Sequence, residues 1–529
     1  MKFPDNSAMQ QRATNLFLAA FTAQIAAVSC ALAEDPGTLS WVGQLGGNAI
    51  DRAYAIATDD AGNSYVTGGF HGSGDFDPGD GITWLTSEGV EDIFILKLDT
   101  NGELAWGYSL GGEYDDTGRG IGVDGEGNVY VTGEFRGTVD FDPGPEEATF
   151  QAASGTSPDI FALKFDPDGN FIWARAMHGS DGSDFVNDSS VDSNGNLLTT
   201  GKFNGTVDFD PGPDSFHLTS GERDDIFVHK LDSDGNFVWA RAMVSDESNE
   251  GIGIAVDDAG NVYTTGSFRG NLDFDPGSNS HPLTSDPDSS DTFVQKLDTN
   301  GEFVWAGKFT GDGFNNGEGI AVDGTGNVHV TGRFDDTVDF DPGDGTYLLT
   351  SGGGEFAGEG IFVVKLDTNG DLLWAHGMGD MVSHWARNSY GYAIAVDDTG
   401  NVYTTGEFQG TVDFDPGGDT HELTWVCTDQ EEEQSCSADI FLQILNMDGE
   451  FVWAGALAGP DGGTNRGWDI AVNDAGNFYV AGEFFGTVDF DPGPDTEERT
   501  ASGLTPDAYV SKHASVFLEY VIFEDGFEE

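Results

Sequence analysis

Two short features each recur seven times along this chain, and the two series are out of phase. The segment Asp-Phe-Asp-Pro-Gly (DFDPG) recurs at intervals of 65 to 76 residues. A tryptophan recurs at Trp41, Trp106, Trp173, Trp239, Trp305, Trp374 and Trp453. The first tryptophan precedes the first DFDPG, and no tryptophan follows the last one. A fixed period indicates a repeat architecture, and seven units whose final part stands near the N-terminus are what a closed ring requires.

Each unit contains four short segments that read as β-strands. In the fourth unit they are residues 252–256, 262–268, 291–297 and 302–306, which are apolar or alternate in polarity. Asp-Asp-Ala-Gly-Asn joins the first two segments, and Asp-Thr-Asn-Gly joins the last two. Gly and Asn or Asp at such positions are typical of tight hairpin turns. A 3.6-residue period is absent, so the sequence predicts an all-β fold.

Seven four-stranded units predict a seven-bladed β-propeller with four antiparallel strands per blade. The last unit ends on its third strand at residues 507–512, and residues 38–43 carry the missing fourth strand. We therefore expect a 3+1 closure, in which the N-terminal strand completes the last blade. The short turns should lie on one face and the long connections on the other. A linear array of sandwiches is the alternative, but it gives no reason for an orphan strand at the start.

The recurring pattern G-x-x-I-A-V-D-x-x-G-N-V-Y-x-T-G, followed by D-x-F-V-x-K-L-D, resembles the bacterial SBBP-type β-propeller repeat. The resemblance covers about residues 38–513 and departs from the family pattern in the DFDPG segment. It implies an exported or surface-associated propeller and no defined activity.

The chain carries 21 basic and 93 acidic residues, for a formal net charge of −72. A nucleic-acid-binding surface needs clustered Lys and Arg, so this class of function is excluded. Binding to anionic lipid is disfavoured for the same reason. After the N-terminal region, no segment is apolar enough to predict a transmembrane span. We expect a secreted or cell-surface protein that is a monomer.

Residues 1–33 have the pattern of a signal peptide, with Lys2 and Arg12 before an apolar stretch that ends in Ala31-Leu32-Ala33. Cleavage is expected before Glu34, and Val28-Ser29-Cys30 leaves a lipoprotein signal open as the alternative. The domain boundaries that follow are a signal peptide at 1–33, the propeller at 34–513 and a tail at 514–529. The two remaining cysteines, Cys427 and Cys436, predict a local disulfide in an exported chain.

The DFDPG segments are candidate calcium sites. Two carboxylates at i and i+2 of an extended chain point the same way, and Ca²⁺ prefers such hard oxygen ligands. An Asx-type turn before Pro-Gly explains the same residues without a metal. The candidate ligands are Asp75, Asp77, Asp140, Asp142, Asp208, Asp210, Asp273, Asp275, Asp339, Asp341, Asp413, Asp415, Asp489 and Asp491.

One position of the first strand varies in a way that the scaffold does not require. It lies five residues before the Asp or Asn that ends the strand, at the expected mouth of the central channel. Its aromatic, charged and amide members are candidate ligand-binding residues: Tyr54, Arg119, Asn187, Glu318, Tyr392 and Trp468. The tryptophans outside the repeat, Trp84, Trp385, Trp425 and Trp468, fall in or beside long connections and are further candidates.

The sequence contains no recognisable catalytic motif, and its catalytic residues are unknown. It favours an exported, non-enzymatic propeller that binds a protein or polysaccharide on the long-loop face. The alternative is a secreted glycoside hydrolase or lyase with its site at the channel mouth. Acidic residues are too numerous for the sequence to locate a catalytic carboxylate pair.

Overall fold

Seven four-stranded antiparallel sheets form the blades of a β-propeller, which confirms the predicted fold class. The computed structural model describes residues 36–515, except 154, 180–181, 286–288, 312, 353–357, 381–386, 427–437 and 461–462. The first strand of each blade lies innermost, because the seven first strands contact one another in a closed cycle. The second, third and fourth strands follow outward in chain order.

The blades take their strands from successive repeats. Blade 1 consists of Asp51–Thr58, Ser64–Phe70, Asp92–Leu98 and Leu104–Leu110. Blade 2 consists of Thr117–Val123, Val129–Phe135, Asp159–Phe165 and Phe171–Gly179. Blade 3 consists of Phe185–Val191, Leu197–Phe203, Asp225–Leu231 and Phe237–Met243. Blade 4 consists of Glu250–Val256, Val262–Phe268, Asp291–Leu297 and Phe303–Gly311.

The remaining blades follow the same order. Blade 5 consists of Asn315–Val322, Val328–Phe334, Gly360–Leu366 and Leu372–Met378. Blade 6 consists of Tyr390–Val396, Val402–Phe408, Asp439–Leu445 and Phe451–Leu457. Blade 7 consists of Arg466–Val472, Phe478–Phe484, Asp507–His513 and the N-terminal strand Leu39–Gly47.

The N-terminal strand closes the ring as the sequence predicts. Leu39–Gly47 pairs antiparallel with Asp507–His513, with Trp41 opposite Lys512 and Gln44 opposite Tyr509. A Gln44 amide hydrogen bond to the Asp507 carboxylate, 2.6 Å long, adds a side-chain link. The two ends of the described chain are therefore held together by a full set of sheet hydrogen bonds.

The long connection between the second and third strands contains a two-stranded ribbon that the sequence did not predict. The first Asp of each DFDPG segment is the last residue of the ribbon's first strand. The ribbons are Ser73–Asp75 with Trp84–Thr86, Thr138–Asp140 with Thr149–Gln151, Thr206–Asp208 with His217–Thr219, Asn271–Asp273 with Pro282–Thr284, Thr337–Asp339 with Leu348–Thr350, Thr411–Asp413 with Glu422–Thr424, and Thr487–Asp489 with Glu498–Thr500. The phenylalanine of every DFDPG is fully buried, so each ribbon is anchored in the blade core.

The recurring tryptophan joins neighbouring blades. The Trp239 indole in blade 3 donates a 3.2 Å hydrogen bond to the Thr299 carbonyl, in the turn between the third and fourth strands of blade 4. Gly301 of that turn has φ = +73°, and a Cβ placed on it would lie 2.9 Å from the indole. The same bond recurs for Trp41, Trp106, Trp173, Trp305 and Trp374. The tryptophans are therefore packing residues between blades.

Alanine substitutions at two turn glycines distinguish the loss of the indole contact from the conformational strain of the turn itself. Gly326, in the turn between the first and second strands of blade 5, has φ = +83°. A Cβ added there would lie no closer than 3.8 Å to another atom. Gly326→Ala should therefore cost only the left-handed strain, about 1–2 kcal/mol. Gly301→Ala should cost about 1–3 kcal/mol more, because the indole must move. Urea unfolding of both variants measures the difference, and equal losses would contradict the packing role.

Removal of residues 38–43 should lower the thermal midpoint of the whole propeller, because the last blade loses its outer strand and exposes the edge of Asp507–His513. Calorimetry of this deletion, beside a chain that lacks only residues 1–33, measures the effect. An unchanged midpoint in the 38–43 deletion would show that closure contributes no stability.

Candidate functional site

A β-bulge interrupts the innermost strand of every blade at one equivalent position. The pairing register shifts across Tyr54, Arg119, Asn187, Ile252, Glu318, Tyr392 and Trp468. A bulge inserts one unpaired residue and re-aims its side chain, and bulges are common beside functional sites. The position that varies among the repeats is therefore also the position of the bulge in every blade.

These bulges converge on a single cavity at the channel mouth. All seven bulge residues line a cavity of about 560 Å³. The cavity thus contains all six candidate ligand-binding residues, contributed by six different blades. Proximity does not test ligand binding, which stays a prediction.

Aromatic rings occupy one side of this mouth. The Trp468 ring in blade 7 lies 4.7 Å from that of Tyr392 in blade 6 and 5.8 Å from that of Tyr54 in blade 1, between ring centroids. The Arg119 guanidinium stacks 4.4 Å above the Tyr54 ring. The Trp468 indole N–H has no hydrogen-bond partner within the described residues, although it is buried. We call Tyr54, Trp468 and Tyr392 the aromatic arc. It combines a flat apolar surface with an indole N–H that has no acceptor among the described residues.

Ion pairs line the rest of the mouth. Arg466 bonds Glu407 at 2.9 Å and Glu483 at 2.8 Å, and Glu483 also receives Arg52 at 2.8 Å. Further pairs are Arg119 with Glu134 at 3.0 Å, Lys202 with Glu250 at 3.0 Å, and Arg333 with Glu318 at 3.2 Å. On the same rim, the Asn187 amide donates to Glu250 at 2.9 Å. Each cation here faces at least one carboxylate.

Burial shifts the acid–base equilibria of these groups. It raises the pKa of Glu318 to about 7, although the Arg333 charge opposes the shift. Burial also raises the pKa of Glu134 and Glu407, against their arginine partners. Below the bulges, burial raises the pKa of both Asp188 and Asp469 to about 7. Asp188 and Asp469 accept backbone N–H bonds from Ile254 and Ile56 of other blades, at 2.9 and 2.8 Å.

The sequence analysis missed the charged residues on the second strands. Glu134, Lys202, Arg333, Glu407 and Glu483 each stand between the Gly and Phe that end the second strand. This position also varies among the blades, with Gly69 and Ser267 in the other two. A comparison of this position among the seven second strands would have shown the same variation from blade to blade that identified the bulge residues.

Every DFDPG segment forms the same turn. Oδ1 of its first Asp accepts two backbone N–H bonds, as Asp75 does from Asp77 at 3.1 Å and Thr83 at 2.8 Å. Oδ1 of its second Asp accepts the N–H of the Gly two residues later, as Asp77 does from Gly79 at 3.0 Å. The other six segments repeat these bonds. The structure thus contains the Asx-type turn, with one oxygen of each carboxylate engaged.

Within the described residues, no group of three or more His, Cys, Asp or Glu side chains is placed to hold a metal ion. Two carboxylates per DFDPG fall short of the six to eight oxygens that Ca²⁺ takes. Calcium binding by these segments stays a prediction. If they bind it, a chelator at low ionic strength should lower the thermal midpoint, because an ion that binds only the folded state stabilises it. A midpoint that chelator and added Ca²⁺ leave unchanged would dismiss this prediction.

The tryptophans outside the repeat lie in different surroundings. Trp84 is 64% exposed on a ribbon of blade 1. Arg387 stacks 4.6 Å above the Trp425 ring. Trp385 lies outside the described residues, as do Cys427, Cys436, residues 1–33 and most of the predicted tail. The disulfide and the signal peptide therefore stay predictions.

No helix long and apolar enough to cross a membrane occurs among the residues that the structure describes.

Comparison with known proteins agrees with the fold. An uncharacterised WD repeat-containing protein of Acanthamoeba polyphaga mimivirus is 22% identical over 517 residues, which is 84% of this chain. That alignment spans only 36% of the relative's own length.

Two solved structures are similar to this chain at low scores. A polysaccharide lyase, an ulvan lyase, has 14% identity and a TM-score of 0.41, with 83% of this chain and 92% of that chain covered. Sqt1 from Chaetomium thermophilum has 11% identity and a TM-score of 0.36, with 89% and 100% covered. Such low similarity carries no information about activity. A family model for the SBBP beta-propeller repeat matches residues 40–68 and 107–134, so these two segments of the β-propeller match the SBBP repeat.

Proposed function

We propose that this protein is an exported binding propeller without catalytic turnover, which holds a hydroxyl-rich ligand such as a polysaccharide end at the channel mouth. The observation that carries the proposal is the arc of Tyr54, Trp468 and Tyr392 beside ion-paired side chains in one cavity. Its volume of about 560 Å³ falls within the range of small-ligand pockets.

A sugar ring matches both halves of this mouth. Its C–H face is apolar and packs on an aromatic ring, while its hydroxyl groups donate and accept hydrogen bonds around the rim. The Glu, Arg and Asn side chains offer acceptors and donors at fixed positions. Because these cations are already paired with carboxylates, the mouth does not need a charged ligand for neutrality.

The pairing of the mouth carboxylates also supports binding without turnover. A glycosidase needs a protonated carboxylic acid beside the scissile bond and a second, ionised carboxylate. Glu134, Glu407 and Glu483 are instead each bonded to an arginine, at 3.0, 2.9 and 2.8 Å, which fixes these carboxylates against the wall of the mouth.

Glu318 favours the alternative of a carbohydrate-active enzyme. Its pKa of about 7 suits a general acid near neutral pH. If the protein hydrolyses or cleaves a polysaccharide, Glu318→Gln should abolish that turnover. A screen for reducing-end release and for unsaturated products, with wild type and Glu318→Gln, therefore decides between the two functions.

A glycan array followed by calorimetry on the strongest ligand tests the binding function. Trp468→Ala and Tyr392→Ala should each weaken binding about tenfold, equal to about 1.4 kcal/mol, because each removes one ring of the arc. Trp84→Ala is the matched control, since Trp84 is exposed and does not line the cavity. Equal losses in the control, or a protein partner that binds independently of Trp468, would contradict the assignment to the mouth. Unchanged thermal midpoints establish that the variants remain folded.

A further inference from the structure

Every junction between blades carries one equivalent backbone hydrogen bond. The residue that begins the innermost strand, or directly precedes it, donates its N–H to the carbonyl just before the third strand of the preceding blade. Asp51 bonds Pro506 in this way at 3.1 Å, and Asn249 bonds Asp224 at 2.8 Å. The other junctions repeat it through Asp116, Asp184, Asn315, Ser389 and Asn465. The donor residue is therefore next to the first residue of the neighbouring third strand at each junction.

Three junctions place an amide opposite a carboxylate. The Asn249 amide donates to Asp225 at 3.0 Å, and the Asn465 amide donates to Asp439 at 3.2 Å. The third such pair is Asn315 with Asp291, at 3.5 Å. These side chains are at most 2% exposed, so the amide proton supplies a bond that water does not.

Three other junctions place a carboxylate opposite a carboxylate. The pairs are Asp51 with Asp507, Asp116 with Asp92, and Asp184 with Asp159, and all six side chains are at most 2% exposed. Burial, and after it the neighbouring carboxylate, raises the pKa of Asp51, Asp116 and Asp184. Oδ1 of Asp51, Oδ1 of Asp507 and Oδ2 of Asp184 are buried without a hydrogen-bond partner. Ionised carboxylates only accept, so two of them cannot bond each other.

Both oxygens of Asp92, Asp116 and Asp159 accept backbone N–H groups, so of the three pairs the closure pair alone has, within the part of the chain that the structure describes, an unpartnered oxygen on each member. We propose that Asp51 and Asp507 bind one shared proton, so that an O–H group takes the place that the Asn amide N–H occupies at the equivalent junctions. The two carboxylates thus form a proton-binding site inside the junction between blade 7 and blade 1, where the ring closes.

A shared proton fits the surroundings better than a metal ion. Gly47 N–H donates to the other oxygen of Asp51 at 2.7 Å, and Ser502 N–H donates to the other oxygen of Asp507 at 2.9 Å. Two free oxygens remain, which can hold one proton between them but fall short of a Ca²⁺ shell. Burial, followed by the neighbouring carboxylate and against the backbone N–H bonds, raises the pKa of Asp51, Asp116 and Asp184 to about 7.

Uncharged groups also surround the closure pair. The backbone N–H groups of Gly47 and His71 lower the pKa of Asp51, and hydrogen bonds from Gln44 and Ser502 lower the pKa of Asp507. These bonds oppose protonation, whereas burial and the neighbouring carboxylate favour it.

The direction of the pH dependence follows from linkage. The pKa of Asp51 is about 7 in the folded state and about 3.8 in the unfolded chain. The folded state therefore holds more protons between these values, and stability falls as pH rises through this window. The stabilisation is complete below the unfolded value and lost above about pH 7.

The test replaces the proton with an amide, as three junctions already do. The variant Asp51→Asn should melt a few degrees above wild type at about pH 8 and close to it at about pH 5. An infrared band of protonated buried carboxyl groups, present in wild type at about pH 6, should weaken in the variant. Parallel Tm-versus-pH curves and an unchanged infrared band would overturn the proposal.

The reverse change covers the case in which Asp51→Asn does not fold. Asn249→Asp and Asn465→Asp each place a second carboxylate at a junction, so each should lower the midpoint at about pH 8 and leave it nearly unchanged at about pH 5. Equal losses at both pH values would overturn the proposal. Added Ca²⁺ is a further test: if it raises the midpoint of wild type at about pH 8 but not that of Asp51→Asn, the pair binds a metal rather than a shared proton.

Discussion

Closure of the ring by the N-terminal strand is the constraint on which the rest of the structure depends. Each blade packs on two neighbours, so an unclosed ring would expose the faces of two blades and the edge of Asp507–His513. Antiparallel pairing of Leu39–Gly47 with that strand removes both problems at once. The seven innermost strands then surround one channel, and only this arrangement brings residues from the first and last blades together at the mouth.

The mouth shows how a repeated scaffold accommodates a specific site. The bulge is common to all blades, while the residue on it differs from blade to blade. The backbone therefore supplies a fixed ring of positions, and the sequence chooses their chemistry. Trp468 and Tyr54 are more than four hundred residues apart in the chain, yet their rings lie 5.8 Å apart across the closure.

Much of the fold followed from sequence because the repeat, the turn residues and the alternation of polarity agree with one another. The out-of-phase Trp series predicted the closure, and the variable position in the first strand marked the mouth. The ribbon strands were missed because three-residue strands carry too little alternation to recognise. The ion pairs of the mouth were missed because partners such as Arg52 and Glu483 stand in different blades, which no local pattern records.

The contact between the indole and the next turn has a consequence for how such a chain can change in length. The Trp239 indole contacts one carbonyl and one glycine of the following blade, and the same two groups recur in nearly every repeat. Duplication or loss of a whole repeat therefore preserves this indole contact at most junctions, whereas ion pairs between particular blades, such as Arg52 with Glu483, depend on which blades are neighbours. What such an event alters is the diameter of the channel, and with it the distances among the bulge residues. Lateral packing tolerates a change in blade number, whereas the geometry of the mouth holds for seven blades alone.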